Sequence, residues 1–277
     1  MTTPLSPASL AVCSWSLQPD SADALVRDLA ATGVKRTQLH LNPLLDAAPA
    51  WADTPAKLAD AGIAVVSGMI TTLGEDYSTL ESIRQTGGVV PDEHWPANRA
   101  TAERAADLAA SLGLTHVSFH AGFIPHDPAD PGFAKLRDRL ADLADLFAAR
   151  DLRLLLETGQ ETAAGLTAFL DRLGKPNVAV NFDPANMLLY GMGDPIESML
   201  ALMPRIEQAH IKDAIASDTL GQWGAEVPVG EGQVPWPRFV KALQDAGYAG
   251  DLVIEREAGT QRIADIRTAA AVIEATL

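Results

Sequence analysis

Eight short β-type runs alternate with helical runs along the whole chain, and no other feature narrows the fold as much. The strand-type runs are Leu10–Leu17, Arg36–Leu41, Ile63–Ile70, Thr115–Ala121, Arg153–Thr158, Val178–Asp183, Glu207–Asp213 and Asp251–Glu257. Between them lie amphipathic segments such as Asp20–Ala31, Gly132–Arg150 and Trp236–Ala246, several of which stop at a glycine. In Gly132–Arg150 the residues Leu136, Leu140, Leu143 and Phe147 fall on one helical face. Strict βα alternation requires a parallel sheet with crossover helices. A glycine-rich phosphate loop would follow the first strand of an open dinucleotide fold, but Cys13-Ser14-Trp15-Ser16 stands there instead. Eight units in 277 residues therefore predict an α/β fold of the (β/α)8 TIM-barrel type, one domain over 1–277.

Two connections are long, Thr71–Trp95 after the third strand and Ala214–Val234 after the seventh. Both follow strands, so both belong to the C-terminal face of a barrel, where lids and active sites sit. The net charge of −15 opposes phosphate backbones and anionic lipid surfaces, so neither nucleic acid nor membrane is an expected partner. A single cysteine, Cys13, leaves no disulfide framework and no cysteine-based zinc site. The first residues lack the basic start of a secretory signal, so a cytoplasmic location is expected.

The last four strands all end in groups that bind cations. Glu157 closes LLLETGQ, Asp183 closes VAVNFDPAN, His210 lies within IEQAHIKD, and Glu255 follows LVI. In a barrel those ends converge on one spot. Three carboxylates and an imidazole crowded into a dry interior would repel one another or stay unsatisfied. One divalent cation resolves the conflict. The oxygen-rich set suits Mn2+, the expected ion, and also Mg2+, Co2+ or Fe2+; Zn2+ would want more nitrogen or sulfur. Glu257 shares the parity of Glu255 but is placed further toward the rim, and Glu207 and Asp213 are left outside the set.

The stretches Leu154–Gln160, Asn181–Asn186, His210–Asp213, Val253–Glu255 and the upstream Ser118–Pro125 resemble the xylose isomerase-like barrel superfamily, the sugar phosphate isomerase/epimerase group. The resemblance spans essentially the whole chain. It implies that Glu157, Asp183, His210 and Glu255 are metal ligands and that Glu157 and Glu255 are also the catalytic acid/base pair. It further implies a small carbohydrate substrate, handled as a keto-polyol through an enediolate. The same enediolate serves isomerases, epimerases and, where a β leaving group departs, lyases acting on keto-sugars or 3-keto-glycosides. Endonuclease IV-type nucleases also resemble the chain, with extra histidines that His40 and His120 would have to supply.

Two departures bear on the substrate. Ketose 3-epimerases carry a histidine three residues after the aspartate, where this chain has Asn186. They also carry an arginine soon after the metal histidine; here Lys212-Asp213-Ala214 follows. Further substrate-binding candidates are His40, His120, Lys212, Asn186, Gln160 and Trp15. Each has a structural alternative: a loop bond for the histidines, an ion pair for Lys212, helix capping for Asn186 and Gln160, packing for Trp15. Trp95 and Trp223 are candidates for stacking on a sugar face. Cys13 reads as a buried small residue, and His94, His116 and His126 as loop or surface residues. The outer helices of such barrels often pair, so a homodimer is also an expectation.

Overall fold

The computed structural model describes residues 4–219 and 221–277. Eight strands close a parallel barrel: β1 (Leu10–Cys13), β2 (Arg36–His40), β3 (Ala64–Met69), β4 (His116–Phe119), β5 (Arg153–Glu157), β6 (Val178–Phe182), β7 (Ile206–Ile211) and, after a short hairpin, β10 (Asp251–Ile254). The hairpin pairs β8 (Asp213–Ile215) antiparallel with β9 (Ala225–Val227). β10 closes the ring between β7 and β1. The (β/α)8 expectation holds, although eleven α-helices rather than eight occur among the described residues. The additional helices are Asn42–Leu45, Leu80–Thr86 and Pro184–Leu189, each in a connection following a strand.

The helices begin and end where the residue chemistry dictates. Ser21, Asp130, Thr162 and Asp194 each accept a backbone N–H from the first turn of the following helix. Gly33 and Gly174 end two helices in the left-handed conformation. In the helix Pro131–Ala148, Leu136, Leu140, Leu143 and Phe147 are all buried, as their spacing predicts.

Strand parity sorts the barrel into two environments. Outward residues such as Val12, Leu39, Val117, Leu154, Val180, Ile211 and Ile254 pack under the helices in one large apolar core. The inward positions are smaller or polar: Ala11, Cys13, Gln38, Ser67, Ser118, Asn181, Gln208 and His210 are all buried. Apolar burial against the helices supplies the main stabilisation. The interior is left to hydrogen bonds.

The first strand is shorter than its sequence predicts. Ser14–Leu17 forms a 3-10 turn rather than strand. The reason is local: the Ser14 and Ser16 hydroxyls accept the backbone N–H groups of His40 and Arg256, at 2.8 and 2.9 Å, where a ladder bond would otherwise be needed. The seventh strand also stops early, at Ile211. Asp213 then organises the 214–234 connection. Its carboxylate accepts backbone N–H bonds from Ala214, Gly230, Gly232 and Val234 and the indole N–H of Trp236. A Cβ at Gly232 would lie 2.1 Å from Asp213 Oδ1, so that approach requires glycine. The 71–95 connection is pinned in a similar way. Gly88 has φ +62°, a Cβ there would lie 2.1 Å from the Ala121 carbonyl carbon, and Val89 N donates to Ala121 O. From this anchor Leu80 and Ile83 reach across the barrel mouth to pack with Leu189, Tyr190 and Trp223.

A candidate metal centre and its cavity

Glu157 is the last residue of β5, Asp183 follows β6, His210 is the fifth residue of β7, and Glu255 follows β10. All four are buried. Each offers a ligand atom, and these atoms lie within 4.8 Å of one another. His210 Nδ1 stands 3.4 Å from Glu157 Oε1, 3.5 Å from Glu255 Oε2 and 4.0 Å from Asp183 Oδ2. Asp183 uses its other oxygen, Oδ1, to cap the helix Pro184–Leu189 through Ala185 N and Asn186 N. Asp183 Oδ2 and His210 Nδ1 are buried without a hydrogen-bond partner. Buried polar atoms are normally satisfied, so two orphans facing one point among carboxylates fit a cation. The donor set of three carboxylates and one imidazole fits a divalent ion with hard character.

The local electrostatics follow from burial and charge. Burial alone would raise the Glu255 carboxyl, but Lys212 and His210 outweigh it and hold it well below the usual carboxylate range. Glu157 is lowered in the same sense, burial being outweighed by His120 and His210. Asp183 is pushed up to about 7 by burial, with Lys212 opposing the shift and Glu255 adding to it. Burial would lower His210, yet Cys13, Glu157 and Glu255 together raise it well above its ordinary value.

From this cluster Glu255 opens onto a cavity of about 410 Å3. It is lined by Trp15, His40, His120, Asn186, Lys212 and Glu255, six of the residues singled out from sequence. Trp15 Nε1 donates to Glu255 Oε1 at 2.8 Å. Lys212 Nζ donates to Glu255 Oε2 at 2.9 Å and to Glu257 Oε2 at 2.6 Å, so its ion-pair alternative is realised at the cavity wall. His120 Nε2 is 3.7 Å from Glu157 Oε2. His40 Nε2 is 3.3 Å from Thr71 Oγ1, and burial lowers its pKa. Asn186 does not cap its helix, a role taken by Asp183. Its amide donates to Thr158 O at 2.9 Å and lies 3.4 Å from Glu157 Oε1. Gln160 does not cap its helix either, since Thr162 does. It opens onto a small adjoining cleft shared with Glu157, His120 and Glu161.

Several site neighbours escape a sequence reading. Glu257 lies further toward the rim than Glu255, its side chain 53% exposed, yet it also lines the cavity through its bond to Lys212. Glu75, Tyr77 and Tyr190 line the same cavity from connections, where no strand parity marks them. Of the tryptophans, Trp223 lines the cavity beside Tyr190, ring centroids 4.7 Å apart, whereas Trp95 sits under Arg139 elsewhere. His116 is not a loop residue: it opens β4 and points to Gln208 inside the barrel. Around His40 or His120 no second group of metal-binding side chains occurs among the described residues.

Glu161 is a second buried acid near His120. Burial pushes its carboxyl from an ordinary 4.5 up to about 7, against backbone N–H groups of Gly159 and Ile124. The folded protein therefore keeps a proton through this window that the unfolded chain releases. Stability falls as pH rises from about 4.5 to 7, by at most about 3 kcal/mol. Glu161→Gln is expected to remove that fall. Denaturant unfolding at pH 4.5 and pH 8 should show the variant gaining on the wild type only at the higher pH.

The chain matches the family described as xylose isomerase-like TIM barrel over residues 14–276, and it belongs to that family. It is similar to a xylose isomerase domain protein from Planctomyces limnophilus, with 30% identity, 91% of each chain covered and a TM-score of 0.84. It shares the fold of the probable 3-DHS dehydratase AsbF of Bacillus anthracis (18% identity, 95% of this chain and 98% of that one, TM-score 0.72). It likewise shares the fold of D-allulose 3-epimerase from Methylomonas sp. (18% identity, 100% and 99% covered, TM-score 0.71). No curated protein matches it in sequence. Among the described residues no helix is long and apolar enough to cross a membrane.

Proposed function

We propose that the protein is a divalent-metal-dependent isomerase or epimerase of a sugar or sugar-like keto-polyol. The observation that carries this reading is the buried Glu157–Asp183–His210–Glu255 cluster, with its two unpartnered atoms and with Glu255 lining a large cavity. Those four residues would hold the cation, with Mn2+ the ion best matched to the donors. When bound, such an ion supplies Lewis-acid polarisation that acidifies a C–H lying between a ketone and a hydroxyl.

The chain's own residues supply proton transfer and orientation. Glu157 and Glu255 rise from strands separated by two others in the ring, so their carboxylates flank one point. Removal of a proton by one and its return by the other on the opposite face inverts a carbon. Return on the same face at the neighbouring carbon moves the carbonyl instead. The charges of Lys212 and His120 keep Glu255 and Glu157 ionised, as a base requires. Trp15 fixes the Glu255 carboxylate through its indole N–H. His40, His120 and Gln160 are placed to bond substrate hydroxyls, and Trp15 and Trp223 to cover its C–H faces.

A second reading, elimination from a keto-sugar or 3-keto-glycoside, is favoured by one observation. Asn186 stands where a ketose 3-epimerase carries histidine, and its amide is taken up by Thr158 and Glu157. Its NH2 is thus not free to donate to a ketohexose hydroxyl, and its remaining oxygen can only accept.

The test begins without substrate. Elemental analysis should find about one Mn, Mg, Co, Fe or Zn per chain, lost in Asp183→Ala. No metal, even after reconstitution with Mn2+, would remove the basis of both readings. With metal present, keto-sugars in D2O should take up one deuterium at a single carbon with no fragment lost. Release of an aglycone or appearance of an enone absorbance would select elimination.

A further inference from the structure

Beneath the four-residue cluster, the barrel interior holds a continuous chain of buried amides and hydroxyls. Gln38 Oε1 lies 2.9 Å from His210 Nε2. Gln38 Nε2 donates to Gln208 Oε1 at 2.8 Å and to Ser118 Oγ at 2.7 Å. Gln208 Nε2 donates in turn to Ser67 Oγ at 2.8 Å. All these side chains are buried.

The sense of this chain decides where His210 keeps its proton. A carboxamide oxygen only accepts, so the Nε2 that faces Gln38 Oε1 must carry the hydrogen. A ring that holds a cation is neutral and has one N–H, which leaves Nδ1 with its lone pair for the ion. Nδ1 is the atom that faces the three carboxylates and has no hydrogen-bond partner. With the opposite sense, Gln38 would turn its NH2 to Nε2, the proton would sit on Nδ1, and the ring would be blocked toward a cation. The Asn181 amide nitrogen also lies 2.9 Å from Nε2. Two N–H groups do not bond, so a proton on Nε2 requires the Asn181 oxygen to turn to His210, which takes its NH2 away from Glu157 Oε2 at 3.5 Å. That turn engages Oδ1, which otherwise has no partner, and adds a second acceptor on the same nitrogen.

We propose that Gln38 is a positioning residue: oriented by Gln208 and Ser118, its oxygen holds the His210 proton on Nε2 and bares Nδ1 to the cation position. The role rests on the reading of Glu157, Asp183, His210 and Glu255 as a divalent-cation site. Partners of this kind commonly change metal affinity by about 10- to 100-fold.

The test compares Gln38→Met, which keeps the side chain's length and removes its acceptor, with Gln38→Glu, which keeps an acceptor. In Gln38→Glu the Gln208 amide can turn to donate, because the Ser67 hydroxyl can reverse its own bond. After chelation, calorimetric titration with Mn2+ should show roughly 10- to 100-fold weaker binding in Gln38→Met and affinity within about threefold of wild type in Gln38→Glu. Equal affinity in Gln38→Met and wild type would overturn the role, as would an equal loss in both variants. No Mn2+ binding by the wild type would instead defeat the metal reading itself. Should Gln38→Met fail to fold, the 15N spectrum of the wild-type His210 ring loaded with Zn2+ decides. A proton on Nε2 supports the proposal, and a proton on Nδ1 ends it.

Discussion

Glu255→Gln is expected to cut turnover of a keto-sugar substrate by roughly a thousandfold while leaving the barrel folded. Two effects add. The variant loses a proton acceptor, an effect of about 10²–10⁴ in rate for general acid–base catalysis, and it weakens the hold on the cation. Folding should survive although Lys212 Nζ loses Glu255 Oε2 as an acceptor, because both donors keep a partner. Trp15 Nε1 can donate to a glutamine oxygen as it does to Glu255 Oε1. Lys212 keeps Glu257 at 2.6 Å and Asp183 at 3.7 Å as counter-charges. Glu157→Gln should behave alike, since the two carboxylates stand at 3.4 and 3.5 Å from the same imidazole nitrogen. Steady-state kinetics at saturating Mn2+ separates loss of the base from loss of the ion, and thermal unfolding checks the fold. Full turnover in either variant would withdraw that residue from the chemistry.

These residues were legible before any coordinates because a parallel barrel puts function at predictable places. A strand reads as an apolar run, and a carboxylate directly after it is conspicuous. Glu157, Asp183 and Glu255 each occupy that position, and His210 shares the inward parity. The same logic fails for the rest of the cavity. Tyr77, Glu75 and Tyr190 lie in connections whose path depends on distant packing, such as Ile83 against Tyr190 and Leu189. Glu257 stays at the rim as its place beyond Glu255 implies, but its bond to Lys212 is not legible in the sequence.

The barrel interior was illegible for a different reason. In RTQLH and IEQAHI the alternation puts Gln38 on the side of His40 and Gln208 on the side of His210, but does not show that the two amides meet. An interior of this kind is usually filled by branched apolar residues. Here amides and serines replace them directly under His210, and only closure of the ring brings strands β2, β4 and β7 into one hydrogen-bonded chain. Asp213, left outside the metal set by the sequence reading, is occupied locally in the structure. Its oxygens are used up by four backbone N–H groups and an indole, which leaves it a loop-organising residue.

Asp183→Asn separates the metal site from the fold it sits on. A cation that binds only the folded chain stabilises it by about 2.7 kcal/mol at a concentration a hundred times its Kd. For a chain of this size that corresponds to a rise in Tm of about 5–10 °C on adding Mn2+ to chelated wild type. The variant should show almost none of that rise, because it lacks the buried oxygen Oδ2 that stands without a partner. Its helix Pro184–Leu189 should nevertheless keep its cap, since an asparagine Oδ1 still accepts from Ala185 N and Asn186 N. The sign of the cation-free comparison is also fixed. Burial pushes the Asp183 carboxyl up to about 7, so ionising it in the folded state has a cost that is complete only above that pH. At pH 8 chelated Asp183→Asn should therefore melt no lower than chelated wild type, and its advantage should shrink toward pH 5. A variant that melts far below chelated wild type would make Asp183 a folding residue first. A wild type whose Tm ignores Mn2+ and chelator alike would show that the four residues hold no ion.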